Sequence, residues 1–432
     1  MEHSRTGIAD LWRIQPGVCD DVNVADDETP PGDAPATQPA LAARKRPMER
    51  EHRRTVLRVI LVTHLVLALL TGVGVSVAYQ QLNGNIETLP GIPDGVDRPD
   101  AIEVEGPKQP INILIMGSDT RDCEGCAIDG EAGSEGSDTT ILLHISADRK
   151  DAYGVSLPRD ALVTRPDCML PDGEEVPGEE LAMFNEAFTL GGALCTTQMF
   201  EALTDVRVDH QVVVDFNGFK DMVDAVNGVE VCLPKDVDDP EHNIFFDAGT
   251  QTLTGQQALN YVRERSVLSV TGDIGRMTRQ QAFIASMINK VVSAGTLSRP
   301  DRVFSFLDAA TSSLKLDKEL ANLPALVDLA MQFKNTGLDD IRFITVPFAE
   351  YEPDPNRLVW TEDADKLWER IRNDRRLGRD FSEESIKADD PVGTASGSPS
   401  TALPSDGSSA TPEETAAAQE AAAARLAAGL CA

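Results

Sequence analysis

Hydrophobic positions fall along this chain in three regimes. From Val59 to Ala78 the residues carry no charge, and only Thr63, His64, Thr71 and Ser76 are polar interruptions. As a helix rising ~1.5 Å per residue, such a stretch spans a ~30 Å hydrocarbon core. Between about residues 107 and 380, short apolar runs alternate with stripes of helical period. Ile111-Asn-Ile-Leu-Ile-Met116 is nearly all apolar, as in a strand covered on both faces. Thr140 to Ile145, Val155 to Leu157, Val212 to Phe216, Val229 to Leu233 and Ile341 to Val346 predict further strands, and Leu259 to Arg263 reads as another. Helical spacing predicts helices over Thr197 to Leu203, through Phe219, Met222, Val223 and Val226 to a C-cap at Asn227-Gly228, and along Ile284, Met287, Ile288 and Val291. Val303 to Ala310, Leu320 to Phe333 and Ala364 to Ile371 add three more. Strands and helices alternate without a repeat period. The expected class is α/β, a mixed central β-sheet between helical layers (α-β-α), preceded by one transmembrane helix.

The ends lack periodicity. Residues 1–55, rich in Pro, Asp and Ala, read as a disordered cytoplasmic head. Arg44, Lys45, Arg46, Arg50, Arg53, Arg54 and Arg58 precede the apolar run, so residues 56–79 form an anchor whose N-terminal side stays inside the cell. Ser76-Val77-Ala78 resembles a signal-peptidase site, but the long head and long apolar run favour an uncleaved anchor. Pro90, Pro93 and Pro99 punctuate a linker over 80–106, an extracytoplasmic domain occupies 107–380 (core 110–292), and 381–432 reads as a flexible Ser/Pro/Ala-rich tail.

Charge changes this picture in one place. The chain has 71 acidic against 39 basic residues and a net charge of -32, which excludes bulk nucleic acid as a partner. Against that background, Tyr261 to Gln281 gathers Arg263, Arg265, Arg276 and Arg279 against only Glu264 and Asp273. A strand at 259–263 would turn Arg263 and Arg265 to one side, and Arg276 and Arg279 stand i, i+3 at a helix start. Guanidinium stays protonated and forks onto phosphate oxygens, and a helix N-terminus favours an anion, so phosphate or pyrophosphate is the expected ligand. Any one of these arginines alone reads better as a surface salt bridge.

Polar clusters also stand at the ends of three strands: Asp119 with Arg121, Asp138, and Arg159 with Asp160. Such ends are where α/β proteins build sites. Asp119 and Asp138 are hard oxygen ligands, and carboxylates together with a substrate phosphate are the usual way to hold Mg²⁺. One of the two aspartates could instead act as general base, a choice the residues leave open. No Walker loop, Gly-x-Ser-x-Gly or His-Glu-x-x-His is present, which removes nucleotide hydrolase, lipase and zincin readings. Six of the seven cysteines follow the anchor, consistent with an oxidising compartment. Cys168 and Cys195 are expected to be linked, and Cys123-Glu-Gly-Cys126 forms a tight loop. Cys232 and Cys431 have no assignable partners.

Ile113-Leu-Ile-Met-Gly-Ser-Asp-Thr-Arg121, Ser137-Asp-Thr139, Ser156-Leu-Pro-Arg-Asp160, Asp215-Phe-Asn-Gly-Phe219, Asn227-Gly-Val-Glu-Val231, Leu253-Thr-Gly-Gln-Gln-Ala-Leu259, Tyr261-Val-Arg-Glu-Arg265 and Gly272-Asp-Ile-Gly-Arg276 with Arg279-Gln-Gln281 resemble the LytR-CpsA-Psr family in order and spacing. The resemblance covers about 110–292. It implies a Mg²⁺-dependent enzyme that takes a glycopolymer from a polyprenyl-pyrophosphate carrier at the membrane. The glycan is passed to a peptidoglycan acceptor through a phosphodiester, with possible pyrophosphatase activity. By motif, Asp119 and Asp138 correspond to the metal and pyrophosphate region. Arg121, Arg159, Arg263, Arg265 and Arg276 correspond to phosphate-binding arginines, with Arg279 and Gln280 added to the pyrophosphate set. Asp119, Asp138, Arg159 and Arg263 are the expected catalytic group. Two departures stand out: Met183-Phe-Asn-Glu-Ala187 lacks the basic residue common in the Lys-Ile-Asn-Ala-Ala motif, and Gly136 replaces the arginine often found before Ser-Asp-Thr. A polyprenyl-phosphate-binding scaffold, or transfer to a surface protein, are the competing readings.

Overall fold

The nearly all-apolar run at Ile111 lies inside an eight-stranded sheet. Its strands are β1 (Glu87–Thr88), β2 (Ile111–Ser118), β3 (Ser137–Ile145), β4 (Ala152–Leu157), β5 (His210–Val214), β6 (Leu314–Leu316), β7 (Ile341–Thr345) and β8 (Ile386–Lys387), in the order β1-β6-β5-β2-β3-β4-β7-β8. β3 runs antiparallel to both neighbours, whereas β2 pairs with β5 and β4 with β7 in parallel. One consequence decides where chemistry can occur: the start of β3 lies at the same sheet edge as the ends of β2 and β4. This computed structural model describes residues 48–119, 136–265, 267–292, 299–333, 336–382, 385–391, 419 and 422–431.

The main helices are α1 (Met48–Gly84), α2 (Glu186–Thr204), α3 (Phe216–Ala225), α4 (Gly255–Arg263), α5 (Asp273–Val292), α6 (Pro300–Ser313), α7 (Leu323–Gln332) and α8 (Glu362–Arg372), of which α2 and α8 cover one face of the sheet and α5 the other. Alternation along the strands feeds two cores. Leu114, Met116, Leu142 and Ile344 pack with Met199 and Phe200 of α2 and Leu367 and Trp368 of α8. On the opposite face Ile341 and Phe343 meet Ala282 and Ala285 of α5, whose small side chains let the helix lie close to the sheet. A third cluster joins α3, α4 and α5 to the strands Val229–Leu233 and Gly249–Leu253.

Contacts divide the chain into Met1–Ala68 and Leu69–Ala432. Within α1, Arg53–Gly84 is long and apolar enough to cross a membrane. The expected linker from residue 80 is in part structured. Leu82 is buried, Gln81 and Asn85 donate to Asp308 at 2.9 and 3.0 Å, and β1 extends the central sheet beside β6. Proline content hid this, because the prolines begin only after the strand.

Two further expectations are corrected. Leu259 to Arg263 is not a strand but the body of α4. Thr254 and Gln257 form a capping box, Thr254 N donating to Gln257 Oε1 at 3.2 Å, and Ala258, Leu259, Tyr261 and Val262 are buried at helical spacing. The tail beyond residue 381 is not wholly flexible either. β8 pairs with β7, a helical turn occupies 422–427, and Leu430 is buried against α5. Cys431 is disulfide-bonded to Cys232, and Cys168 is linked to Cys195 as expected. The Cys123–Cys126 loop lies outside the described residues.

At the head of β5, His210 Nδ1 lies 3.2 Å from Asp317 Oδ2. Burial lowers the imidazole pKa, but the hydrogen bond and charge of Asp317, aided by Asp209 and Glu319, outweigh it and raise the pKa above its usual 6.5. A raised folded pKa contributes stability that is fully present below the unfolded value and disappears as pH rises through the folded one. The melting temperature should therefore decline above about pH 6.5, and His210→Gln should flatten that decline. Calorimetric scans from pH 5.5 to 8.5 check this; parallel curves for the two proteins would reject it.

Candidate active site

Asp119 follows β2 across a register shift at Gly117/Ser118. Its backbone N donates to Gly136 O at 3.0 Å and its Oδ1 accepts from Gly136 N at 2.7 Å, which closes the neck of the connection between β2 and β3. Asp138 is the second residue of β3, and Pro158 ends β4 just before Arg159 and Asp160. Opposite these strand ends lies the N-terminus of α5, carrying Asp273 and Arg276. The turn into α5 needs glycine twice. Gly272 has φ +58°, and a Cβ on Gly275 would come within 1.9 Å of Ser269 Oγ.

These residues form an alternating chain of charge. Every guanidinium nitrogen of Arg159 faces a carboxylate. Nη1 donates to Asp138 Oδ1 in a short hydrogen bond, Nε is 3.4 Å from Asp160 Oδ2 and Nη2 is 3.4 Å from Asp273 Oδ1. Arg276, only 2% exposed, sets Nη2 2.6 Å from Asp273 Oδ1 and Nη1 3.7 Å from Asp138 Oδ2. Burial would raise the Asp138 pKa, but Arg276 and Arg159, with a smaller pull from Arg265, hold it below the ordinary carboxylate range. For Arg159, the surrounding Asp273, Asp138 and Asp160 overcome burial and raise its pKa. Arg276 differs: burial dominates, neighbouring Arg159 adds repulsion, and its pKa is lowered despite Asp273 and Asp138. Its Nε and the Nε of Arg159 are buried without a hydrogen-bond partner, while its Nη2 and Asp273 Oδ1, though 2.6 Å apart, are not aligned for a hydrogen bond. The unsatisfied Nε of the buried Arg276 leaves a donor that an incoming acceptor oxygen would satisfy.

The other expected arginines separate into two groups. Arg263, in the last turn of α4, lays its guanidinium 4.4 Å from the Phe216 ring centroid, a cation–π contact that fixes its direction. Arg265 is exposed just beyond α4, and its charge reaches Asp138. Arg121 lies outside the described residues. Arg279, expected to bind pyrophosphate, turns inward instead. It is 0% exposed, donates to Glu264 O and, at 3.0 Å, to Ala428 O, and lies 3.9 Å from the Glu264 carboxylate. The i, i+3 spacing places it one turn deeper than Arg276, under the end of α4. Gln280 is likewise a fastener, accepting from Thr139 Oγ1 and donating to Val262 O, both at 3.1 Å. Gln281 donates at 2.9 Å to both Ser156 Oγ and Thr345 Oγ1, tying α5 to β4 and β7.

Sequence reasoning missed Asp273 as a site residue, although its place inside Gly272-Asp-Ile-Gly-Arg276 was a signal. It also missed Arg357, which no local pattern announces: Nη1 lies 3.5 Å from Asp160 Oδ1. A cavity of about 380 Å³ lined in part by Ser146, Asp148, Tyr153, Asp374 and Arg376 sits where β3 ends and β4 begins, at the opposite sheet edge from this cluster.

The donor set suits one kind of metal. Among the described residues no group of three or more His, Cys, Asp or Glu could cage an ion. Asp119 and Asp138 are hard oxygen donors of the type that binds Mg²⁺ when substrate phosphates and water complete the shell.

Residues 91–373 match the LytR_cpsA_psr family. The chain is 33% identical over 261 residues to the cell wall biosynthesis protein LcpA of Corynebacterium glutamicum, covering 55% of this chain and 49% of LcpA. It thus spans about half the length of that relative. The polyisoprenyl-teichoic acid–peptidoglycan teichoic acid transferase TagV of Bacillus subtilis is 26% identical over 342 residues, 77% of this chain and 81% of TagV. Among solved structures, protein gbs0355 from Streptococcus agalactiae superposes with a TM-score of 0.51 at 25% identity, covering 63% of this chain and 90% of that one.

Proposed function

Because the chain belongs to the LytR-CpsA-Psr family, we propose that it transfers a glycopolymer from a polyprenyl-pyrophosphate carrier to peptidoglycan. The observation that carries this reading is the convergence of Arg159, Arg276 and Asp138 at two strand ends and one helix N-terminus, with the Nε of the buried Arg276 unsatisfied. Such a place suits a polyanion whose charge grows during reaction. The acceptor hydroxyl oxygen forms a bond to the glycan-bearing phosphorus, and the phosphoanhydride P–O bond breaks. Polyprenyl phosphate leaves with the electron pair, and the hydroxyl proton passes to a carboxylate or to water. Arg276 and Arg159 hold the phosphate oxygens, and Arg263, braced on Phe216, approaches from α4. Asp138, held ionised by its guanidinium partners, is a poor proton acceptor and a good cation ligand. Asp119 and Asp138 would hold Mg²⁺, which when bound supplies positive charge against the developing leaving group.

α1 is the anchor in this reading, with the head inside the cell and the domain outside, beside the membrane that holds the lipid-linked donor. The names of LcpA and TagV support cell-wall chemistry of this class. The test is to incubate the full chain in detergent micelles with a lipid-pyrophosphate glycan and purified peptidoglycan, with and without Mg²⁺. Covalent glycan on the wall, only with the metal, is the expected result. Lipid binding without any product would favour a scaffold, release of free phosphate alone would favour a pyrophosphatase, and labelling of a surface protein would move the acceptor. A reporter fused after residue 106 should be active only outside the cytoplasm; activity inside would overturn the topology.

A further inference from the structure

We infer that Arg357 is a positioning residue of this same site, acting through Asp160 on Arg159; the inference rests on the anion-binding role proposed above. Arg357 belongs to the β-hairpin formed by Phe348–Tyr351 and Asp354–Trp360. That hairpin is locked beside β4's exit: Leu358 N donates to Asp160 O at 3.3 Å, and Ala161 pairs with Leu358 in a parallel bridge. Leu358 is buried, and Trp360 leans on Phe184 and Trp368, with ring centroids 6.3 and 5.7 Å apart. Strand alternation then turns Arg357 away from that apolar side, so its direction is fixed by packing that does not involve its charge.

The carboxylate of Asp160 stands between two guanidiniums, Oδ2 toward Arg159 Nε and Oδ1 toward Arg357 Nη1. Without Arg357, that carboxylate would face a bound pyrophosphate with only Arg159 to neutralise it. It would repel the ligand and draw Arg159 back from it. Arg357 takes the second share of the Asp160 charge, so that Arg159 does not have to neutralise that carboxylate alone. At 34% side-chain exposure, against 18% for Arg159 and 2% for Arg276, it is the outermost cation of the chain of ion pairs. A point charge suffices for this task, because no planar fork onto Asp160 is made at 3.5 Å.

The probe is inorganic pyrophosphate with Mg²⁺, titrated calorimetrically into the full chain in detergent. Arg357→Met should weaken binding roughly fivefold with an unchanged melting temperature, as for loss of one half-exposed charge pair. Arg357→Lys should bind like wild type. The decisive variant is Arg357→Met combined with Asp160→Asn, which removes the uncompensated carboxylate and should restore affinity to within about twofold. Arg357→Met that binds as tightly as wild type would overturn the inference. So would a loss that Asp160→Asn fails to repair, since that means direct contact or a folding defect. Wild-type protein that binds no pyrophosphate would overturn the anion site itself, and the role of Arg357 with it.

Discussion

Asp138→Asn is expected to cut glycan transfer by orders of magnitude and, at the same time, to tighten metal-free binding of inorganic pyrophosphate. The two effects have opposite sign because Asp138 has two occupations. Its Oδ1 takes Arg159 Nη1 and its Oδ2 faces Arg276 Nη1 at 3.7 Å, so the carboxylate sits where a phosphate oxygen would sit. Removing its charge releases both guanidiniums. With charge-assisted contacts worth about 1.5–3 kcal/mol, the metal-free gain should be roughly ten- to a hundredfold. The same substitution removes half of the carboxylate pair proposed to hold Mg²⁺, so metal should no longer strengthen pyrophosphate binding and transfer should collapse. Titrations with chelator and with Mg²⁺, beside a transfer assay, separate the two. An Asn variant that transfers at the wild-type rate would remove Asp138 from the chemistry. Unchanged metal-free affinity would mean that the carboxylate does not compete with the ligand.

Much of this arrangement was legible from residue order. Apolar runs that stop before Asp119 and Arg159, and one that starts after Asp138, located the sheet edge, because a central strand covered on both faces is nearly all apolar along its length. What failed did so for physical reasons. Tyr261 and Val262 favour strand locally, but Thr254 and Gln257 nucleate a helix whose buried face they complete. Local spacing gave Arg276 and Arg279 the same status, whereas the tertiary fold puts a carbonyl of the C-terminal segment and one at the end of α4 around the second. The Ala-rich tail hid its docking, since apart from Leu430 and Cys431 it is held through backbone carbonyls, which carry no sequence signal. Arg357 could not be found at all, because it meets Asp160 across nearly two hundred residues of chain.

Arg279 and Arg263 should therefore behave in opposite ways, although both stand in the same basic stretch. Arg263 is half-buried on Phe216 at the end of α4, from where it is proposed to reach the ligand. Arg263→Ala should weaken pyrophosphate binding roughly ten- to a hundredfold with little change in melting, and Arg263→Lys should recover only part of the loss. Arg279→Met removes a fully buried cation and strands the groups around it: Glu264 O, Ala428 O and the Glu264 carboxylate. That carboxylate also accepts from Val267 N at 2.6 Å and Leu268 N at 2.8 Å, so it shapes the loop that carries Arg265 and leads to Arg276. Ala427 O, in turn, accepts from Val270 N at 3.0 Å, holding the C-terminal segment against the same loop. Breaking a buried pair from one side costs about 3–5 kcal/mol, or roughly 6 °C or more in melting temperature for a domain of this size. The loss should be shared by Cys431→Ser, which frees the segment bearing Ala428, and it should appear without any ligand present. Calorimetric melts of the four variants decide the matter. An Arg279→Met protein that melts like wild type while failing to bind pyrophosphate would return that arginine to the anion site.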